Sequence, residues 1–266
     1  MPLSLKAKFA RWLAQRGFRI ITRNDPLFDR IPRNVDADFP PVHEQCAPFT
    51  CTSFDAQYAL WKAVEYVVRS SVKGDLVECG VFKGGSIMVA ARALARFGDT
   101  ARKLYLYDTF EGMTAPTARD VDFIGRTPQD HLKTWGVKTM SGMTNTPIDE
   151  VKTNVLSTGL AADRFVFVKG KVEDTIPGTL PSGAISILRL DTDWYESTRH
   201  ELIHLFPRLA PGGVIIIDDY GFWRGSREAC DEYFQDRGVK ILLNRIDTLG
   251  AVIGVKTNGP AAGDAS

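Results

Sequence analysis

From residue 74 to residue 255 the chain alternates short apolar runs with longer amphipathic stretches, and this alternation restricts the fold more than any other feature. Runs of about four to eight residues rich in β-branched and aromatic side chains read as strands, and longer runs with helical periodicity read as helices. Strands are predicted at 75–79 (DLVEC), 103–108 (KLYLYD), 164–168 (RFVFV), 184–190 and 213–218, with helices at 85–97, 196–209 and 225–237. Strands that alternate with helices build a mostly parallel sheet covered on both faces. Two closing strands near 239–245 and 249–255 are separated only by a short turn around Asp247-Thr248, too short for a helical crossover. They therefore form a hairpin, and one of them runs antiparallel. The expectation is an α/β fold of seven strands, parallel except for one antiparallel strand near the C-terminus.

Two of these strands end in paired aspartates: Asp191 and Asp193 in ISILRLDTDWYEST (185–198), and Asp218 and Asp219 in GGVIIIDDYGFW (213–223). In a parallel sheet both pairs emerge at the same edge. Carboxylates crowded there raise one another's pKa or require a counter-ion. A divalent cation answers that need, and all-oxygen ligation favours Mg²⁺, Mn²⁺ or Ca²⁺ over zinc. Each pair also has a plainer reading, because Asp commonly caps the helix that follows a strand.

The first strand runs into a glycine turn, GDLVECGVFKGGS (74–86), ahead of a helix beginning near Ser86. Gly80, Gly84 and Gly85 permit close backbone approach to a ligand, and the helix N-terminus offers unpaired N–H donors. Neither the Gly-x-Gly-x-x-Gly spacing of dinucleotide sites nor the Lys-Ser/Thr of a P-loop is present. Glu78 suits a ligand with an ammonium group better than a pyrophosphate. The second strand ends in Asp108, placed to accept both hydroxyls of a ribose. A glycine turn without a pyrophosphate signature, followed by a ribose acid, points to S-adenosylmethionine. Cys79, Val81, Gly85 and Ser86 belong to the same turn, Thr109 and Phe110 follow Asp108, and Gly170 and Val172 in KGKVEDT (169–175) lie where the adenine ring would rest. Alternatively, Glu78 pairs with Lys83, Asp108 caps the next turn, and Phe110 packs on the sheet.

The 266 residues, 44% of them hydrophobic, suffice for one core. The domain reading is an N-terminal helix and arm at 1–53, a main domain at 54–257 with a lid-like excursion at 109–162, and a disordered tail at 258–266. A net charge of +1 gives no reason to expect nucleic acid as a partner. The cysteines 46, 51, 79 and 230 lack zinc-type spacing, and no apolar run reaches the ~18 residues of a membrane span. A reduced, soluble, cytoplasmic protein is expected. Residues 1–24 carry six Lys or Arg (Lys6, Lys8, Arg11, Arg16, Arg19, Arg23) and no acid, with apolar residues near helical spacing. Such a helix suits peripheral contact with a membrane surface, or a lid or dimer contact with a solvated basic face. A homo-oligomer formed through these N-terminal elements is the expected assembly.

VECGVFKGGS, LYLYDTFEGM (104–113), VKGKVEDT, LRLDTDWYEST and GGVIIIDDYG together resemble the TylF-like family of macrocin O-methyltransferases, over roughly residues 54–255. The resemblance implies a class I methyltransferase fold, Rossmann-like, using S-adenosylmethionine and Mg²⁺ to methylate a sugar hydroxyl of a glycosylated natural product. It further implies that Asp191, Asp218 and Asp219 hold the metal and that Asp193 is the general base. The methionine end of the cofactor would lie near Glu78 and Gly80, and the ribose on Asp108. A carboxylate with a pKa near 4 is a weak base, hence the metal's assistance. His131, within the excursion, is the rival base, since histidine titrates near neutral pH. Tyr195, Tyr220, Phe222 and Trp223 either stack on the acceptor or pack in the core. Three other readings remain open: a catechol-type methyltransferase, an Asp-x-Asp glycosyltransferase, and a scaffold that keeps the fold without catalysis.

Overall fold

The computed structural model describes residues 34–135 and 145–257, so the basic segment 1–24 and the tail 258–266 lie outside the described residues. The chain forms two units, Met1–Pro40 and Pro41–Ser266, and the second contains the sheet. Residues 23–50, read as an irregular arm, include helix α1 (Phe39–Cys46). Its prolines 40 and 41 sit in the first turn, where the missing N–H groups have no intrahelical acceptor in any case.

Helix α2 (Phe54–Arg69) is capped by Ser53, whose hydroxyl accepts the Ala56 N–H at 3.0 Å. It leads into β1 (Asp75–Cys79), α3 (Gly85–Arg96) and β2 (Leu104–Asp108). Beyond the excursion follow β3 (Phe165–Lys169), β4 (Ile185–Leu190), the helix Tyr195–Leu205, β5 (Leu209–Ile217), the helix Arg224–Asp236, and the closing hairpin β6 (Asn244–Arg245) and β7 (Val252–Val255). The strand order is 3-2-1-4-5-7-6, with β7 antiparallel to both neighbours. All six residues of β4 are buried, as expected of a central strand covered on both faces. Each Ile or Leu buried in this way contributes about 1.5–3 kcal/mol.

Three strands differ clearly in extent from expectation. β5 starts four residues early, because the ladder slips at Pro211-Gly212-Gly213: Ile185 faces Leu209, whereas Ile187 faces Val214. Proline and glycines that look like a turn are a bulge within the strand. The closing strands are shorter than their apolar runs.

Register places the site. Cys79 faces Tyr107 on one side and Leu190 on the other, and Leu190 faces Ile217. Gly80, Asp108, Asp191 and Asp218 therefore leave the sheet together at its C-terminal edge, around the β1/β4 boundary where strand order reverses. Ligands of open α/β sheets bind in such crevices.

The excursion contains α4 (Pro128–Trp135) and α5 (Ile148–Leu156), and two fully buried aspartates pin its first half down. Asp120 accepts the Tyr195 N–H at 2.8 Å and the Thr117 N–H at 2.6 Å. Asp122 accepts the N–H groups of Ile124 (3.0 Å) and Arg126 (2.8 Å), and its other oxygen meets Arg126 Nε (2.8 Å) and His131 Nε2 (2.9 Å).

Burial pushes the Asp122 carboxyl up, but the donors of Arg126, His131 and Ile124 outweigh it and hold the group well below the usual carboxylate range. A depressed folded pKa contributes stability above the unfolded value, near 4, and that contribution is lost as pH falls through the folded value. Urea unfolding of Asp122→Asn is expected to show a loss of about 1–3 kcal/mol at pH 7. Below about pH 4 the variant's stability should fall with a shallower slope than wild type. Equal slopes would mean that Asp122 does not anchor this segment.

Candidate active site

The crevice is built on backbone that ordinary residues avoid. Phe82, Phe110 and Asp193, just beyond β1, β2 and β4, have φ of 50°, 53° and 67°. Non-glycine residues in this left-handed region are strained and gather where surrounding structure over-determines them. Gly80, at φ 81°, passes so close to the Asp191 carbonyl that any Cβ would collide with it. Asp108 ties two of these loops together: one oxygen accepts the N–H groups of Val81 (2.6 Å) and Phe82 (3.2 Å), the other that of Phe110 (2.7 Å).

Between the loops lies a cavity of about 260 Å³. Gly80, Val81, Ser86, Asp108, Thr109, Gly170 and Val172 line it together with Asp191, Asp193, Asp218 and Asp219. Asp108 thus caps the turn, as the alternative reading had it, and also lines the cavity. Four residues expected here do not reach the lining. Cys79 is buried against Glu201. Gly85 lies against the backbone of Phe49, and Phe110 packs beside Phe167 on the sheet, centroids 6.3 Å apart. Glu78 points away, into the layer between sheet and helices.

There Glu78 meets Arg189, its register partner on β4, at 2.5 Å, and not Lys83. The same guanidinium reaches Asp191 and Asp218, each at 2.6 Å. One buried cation thus holds carboxylates from three strands. It does not balance them, because five carboxyl groups (Glu78, Asp191, Asp193, Asp218 and Asp219) crowd around it. The residual charge is visible in their basicity. Burial, followed by neighbouring aspartates, pushes Asp193 up to about 8, far from the weak base an ordinary aspartate would be. Asp218 is pushed up to about 7 by burial and Asp191, and burial with Asp193 raises Asp219 well above the carboxylate range.

Asp191, Asp218 and Asp219 each offer one oxygen within 4.8 Å of the others. The second Asp219 oxygen is buried without a hydrogen-bond partner. An all-oxygen donor set, an orphaned carboxylate oxygen and unbalanced negative charge fit a hard divalent cation such as Mg²⁺. Asp193 sits beside Asp219, and its Oδ1 accepts the Trp223 indole N–H at 2.7 Å.

His131 is outside the cavity lining, bonded to Asp122, with its ring edge-on to Trp223 at 5.4 Å. Phe222 and Trp223 line the cavity. Tyr195 and Tyr220 do not, their hydroxyls donating to Glu232 (2.5 Å) and Asp231 (2.7 Å). Several contributors went unnoticed in the sequence. Arg189 was signalled by a cation inside an otherwise apolar buried strand. Glu173, which accepts the Ser197 hydroxyl at 2.6 Å, lies within the expected adenine segment. Thr50, Cys51 and Thr52, which also line the cavity, carried no signal.

A sheet of this order, with an aspartate cluster at its switch point, has the class I methyltransferase fold. The family model described as macrocin O-methyltransferase (TylF) matches residues 6–253. The 8-demethyl-8-(2,3-dimethoxy-alpha-L-rhamnosyl)-tetracenomycin-C 4'-O-methyltransferase of Streptomyces olivaceus is 36% identical over 222 residues, which are 84% of this chain and 79% of that one. The mycinamicin III 3''-O-methyltransferase of Micromonospora griseorubida is 34% identical over 191 residues, 72% of each chain. The solved structure of the O-methyltransferase NovP superposes with a TM-score of 0.66 at 30% identity, covering 79% of this chain and 82% of that one. The chain belongs to the macrocin O-methyltransferase (TylF) family, and it is an O-methyltransferase. Membership sets aside the glycosyltransferase and scaffold readings. Among the described residues, no helix is long and apolar enough to cross a membrane.

Removing one partner of a buried ion pair leaves the others uncompensated. Arg189→Met is expected to cost about 3–5 kcal/mol in urea unfolding at pH 7. Less than about 1 kcal/mol, the range of surface pairs, would show that the carboxylates do not depend on it.

Proposed function

We propose that this enzyme transfers the methyl group of S-adenosylmethionine to a sugar hydroxyl of a glycosylated natural product. In this reading Asp191, Asp218 and Asp219 hold Mg²⁺, and Asp193 removes the proton. The observation that carries it is the split among the four aspartates: three converge within 4.8 Å, while the fourth has its Oδ1 occupied by the Trp223 N–H. The sugar acceptor follows from the relatives, two of which are named for methylating positions on glycosylated antibiotics.

The cofactor's ribose would lie against Asp108 and Thr109, its base along Gly170–Val172, and its methionine end over Gly80 and Ser86. Glu78 would act at that end only through Arg189. Mg²⁺, when bound, supplies Lewis-acid polarisation of the acceptor hydroxyl and a template for vicinal oxygens. The remaining work falls to the chain. Asp193 is fixed by its backbone and by Trp223, so its carboxylate meets the hydroxyl without searching rotamers, which lowers the orientational part of the barrier. The proton would pass from the hydroxyl oxygen to Asp193 as that oxygen attacks the methyl carbon and the S–CH₃ bond breaks, its electron pair going to sulfur to leave S-adenosylhomocysteine; the proton then leaves to solvent.

Titration calorimetry with S-adenosylmethionine, followed by turnover on rhamnosides with and without Mg²⁺, tests this reading. Chelation with EDTA is expected to abolish turnover, and added Mg²⁺ to restore it. Asp193→Asn should lower kcat by about 10²–10⁴-fold while cofactor affinity stays within about twofold. Full turnover after chelation would refute the metal role, and near-wild-type kcat in the variant would refute Asp193 as base.

A further inference from the structure

The helix Tyr195–Leu205 contains the run His200-Glu201-Leu202-Ile203-His204. Histidines four residues apart share one helical face. In the spacing His-Glu-x-x-His, a helix can give two imidazoles to a transition metal and a carboxylate to the metal's bound water. Neither histidine lines the cavity, and methyl transfer uses neither.

The fold keeps the imidazole half of that arrangement. The His200 and His204 rings are both half-buried, with centroids 4.5 Å apart. Across such a separation one ion can take a nitrogen from each ring at about 2.0–2.1 Å. His200 Nε2 lies 2.7 Å from the Ile176 carbonyl, to which it can only donate, so in the neutral ring Nδ1 keeps its lone pair. A backbone carbonyl on the far nitrogen is the usual support of a metal-ligating histidine, because it fixes both tautomer and ring orientation. Burial, followed by the neighbouring His200, lowers the pKa of His204 and favours its neutral, ligating form.

The carboxylate half is lost. Glu201 turns inward: it is fully buried, its Oε2 accepts the Thr192 hydroxyl at 3.2 Å, and the Cys79 thiol lies beside it. A carboxylate committed there cannot activate a water on the imidazoles, so the motif offers binding without hydrolysis. The basic side chains nearest in sequence are engaged elsewhere. Arg199 pairs with Asp236 at 2.9 Å, and Arg208, four residues past His204, donates to the carbonyls of Pro181 (2.7 Å) and Gly183 (3.2 Å). Glu196, one turn before His200, is exposed.

We propose that His200 and His204 form a second metal site, which binds one Zn²⁺, Ni²⁺ or Cu²⁺ ion through two imidazoles and water. Imidazole suits these borderline ions, whereas the all-oxygen aspartate trio suits Mg²⁺. The chain then carries two sites that differ in ligand chemistry as well as in place.

Cu²⁺ is the probe, because among divalent first-row ions it binds a given nitrogen site most tightly. It is added to the full chain with Mg²⁺ in excess to occupy the aspartates, and followed by equilibrium titration and electron paramagnetic resonance. The expected result is one bound Cu²⁺ whose spectrum is split by two nitrogen ligands. His200→Gln and His204→Gln should each weaken it by at least about tenfold, the lower end of the loss seen when only a ligand's supporting hydrogen bond is removed. Asp219→Asn should leave that affinity unchanged. A wild-type spectrum without nitrogen splitting would overturn the proposal, whether or not the variants fold. So would unchanged affinity in both histidine variants, or a loss confined to Asp219→Asn.

Discussion

Everything at the working edge of this sheet depends on the Arg189 guanidinium. It lies in the central strand β4, buried, and bonds Glu78 of β1, Asp191 at the end of β4 and Asp218 at the end of β5. Three adjacent strands are thereby tied at the point where their side chains turn into the cavity. Such a network is costly to assemble, since each ion loses its hydration, and it is held only while every partner remains. Its return is geometric: the aspartates are fixed before any ligand arrives. Because one guanidinium leaves most of the negative charge unbalanced, the same network that positions the carboxylates also keeps them ready for a further cation.

The second constraint is backbone strain. Left-handed conformations at Phe82, Phe110 and Asp193 persist because Asp108 clamps the first two loops and Trp223 holds the third. Trp223 is itself held by the pinned excursion, packing against Trp194 at 5.2 Å and His131 at 5.4 Å and pairing with Asp122 in an isolated β-bridge. His131, a rival base by its chemistry, is thus part of the wall behind Asp193. A chain of contacts runs from a buried aspartate in the excursion to the carboxylate that faces the cavity. The excursion therefore does more than cover the site, because it sets the orientation of one of the site's side chains.

Most of the fold was legible from the sequence because strand and helix periods differ and the chain follows them without interruption from residue 74. The carboxylates at Asp108, Asp191 and Asp218 were legible because apolar runs end on them, and parallel strands end at one edge. Glu78 was misplaced for a reason of period. Side chains alternate along a strand, so Glu78 shares a face with Leu76, toward α2 and α3, and opposes Val77 and Cys79. Its true partner depended on inter-strand register, which pairs Glu78 with Arg189 and which no local pattern encodes. The same limit hid the Asp120 anchor, whose partner Tyr195 lies far along the chain, and the approach of Thr50–Thr52 to the cavity. Pro40 and Pro41 are compatible with a helix because they occupy its first turn, where their missing donors cost nothing.

Two kinds of cation divide the work that a single charge could not do. A guanidinium is planar, permanently charged and covalently part of β4, so it fixes carboxylates in place but offers no open coordination position to a substrate. An exchangeable divalent ion does offer one, and it requires ligands that are already converged yet incompletely satisfied. Asp191 and Asp218 meet both demands: each gives one oxygen to Arg189 and keeps the other, while Asp219 adds an oxygen with no partner. Asp193 instead has its Oδ1 occupied by the Trp223 indole N–H. The arrangement therefore separates the groups that would draw electron density from an acceptor hydroxyl from the group that would take its proton. Those two tasks need opposite charge environments within a few ångströms of each other.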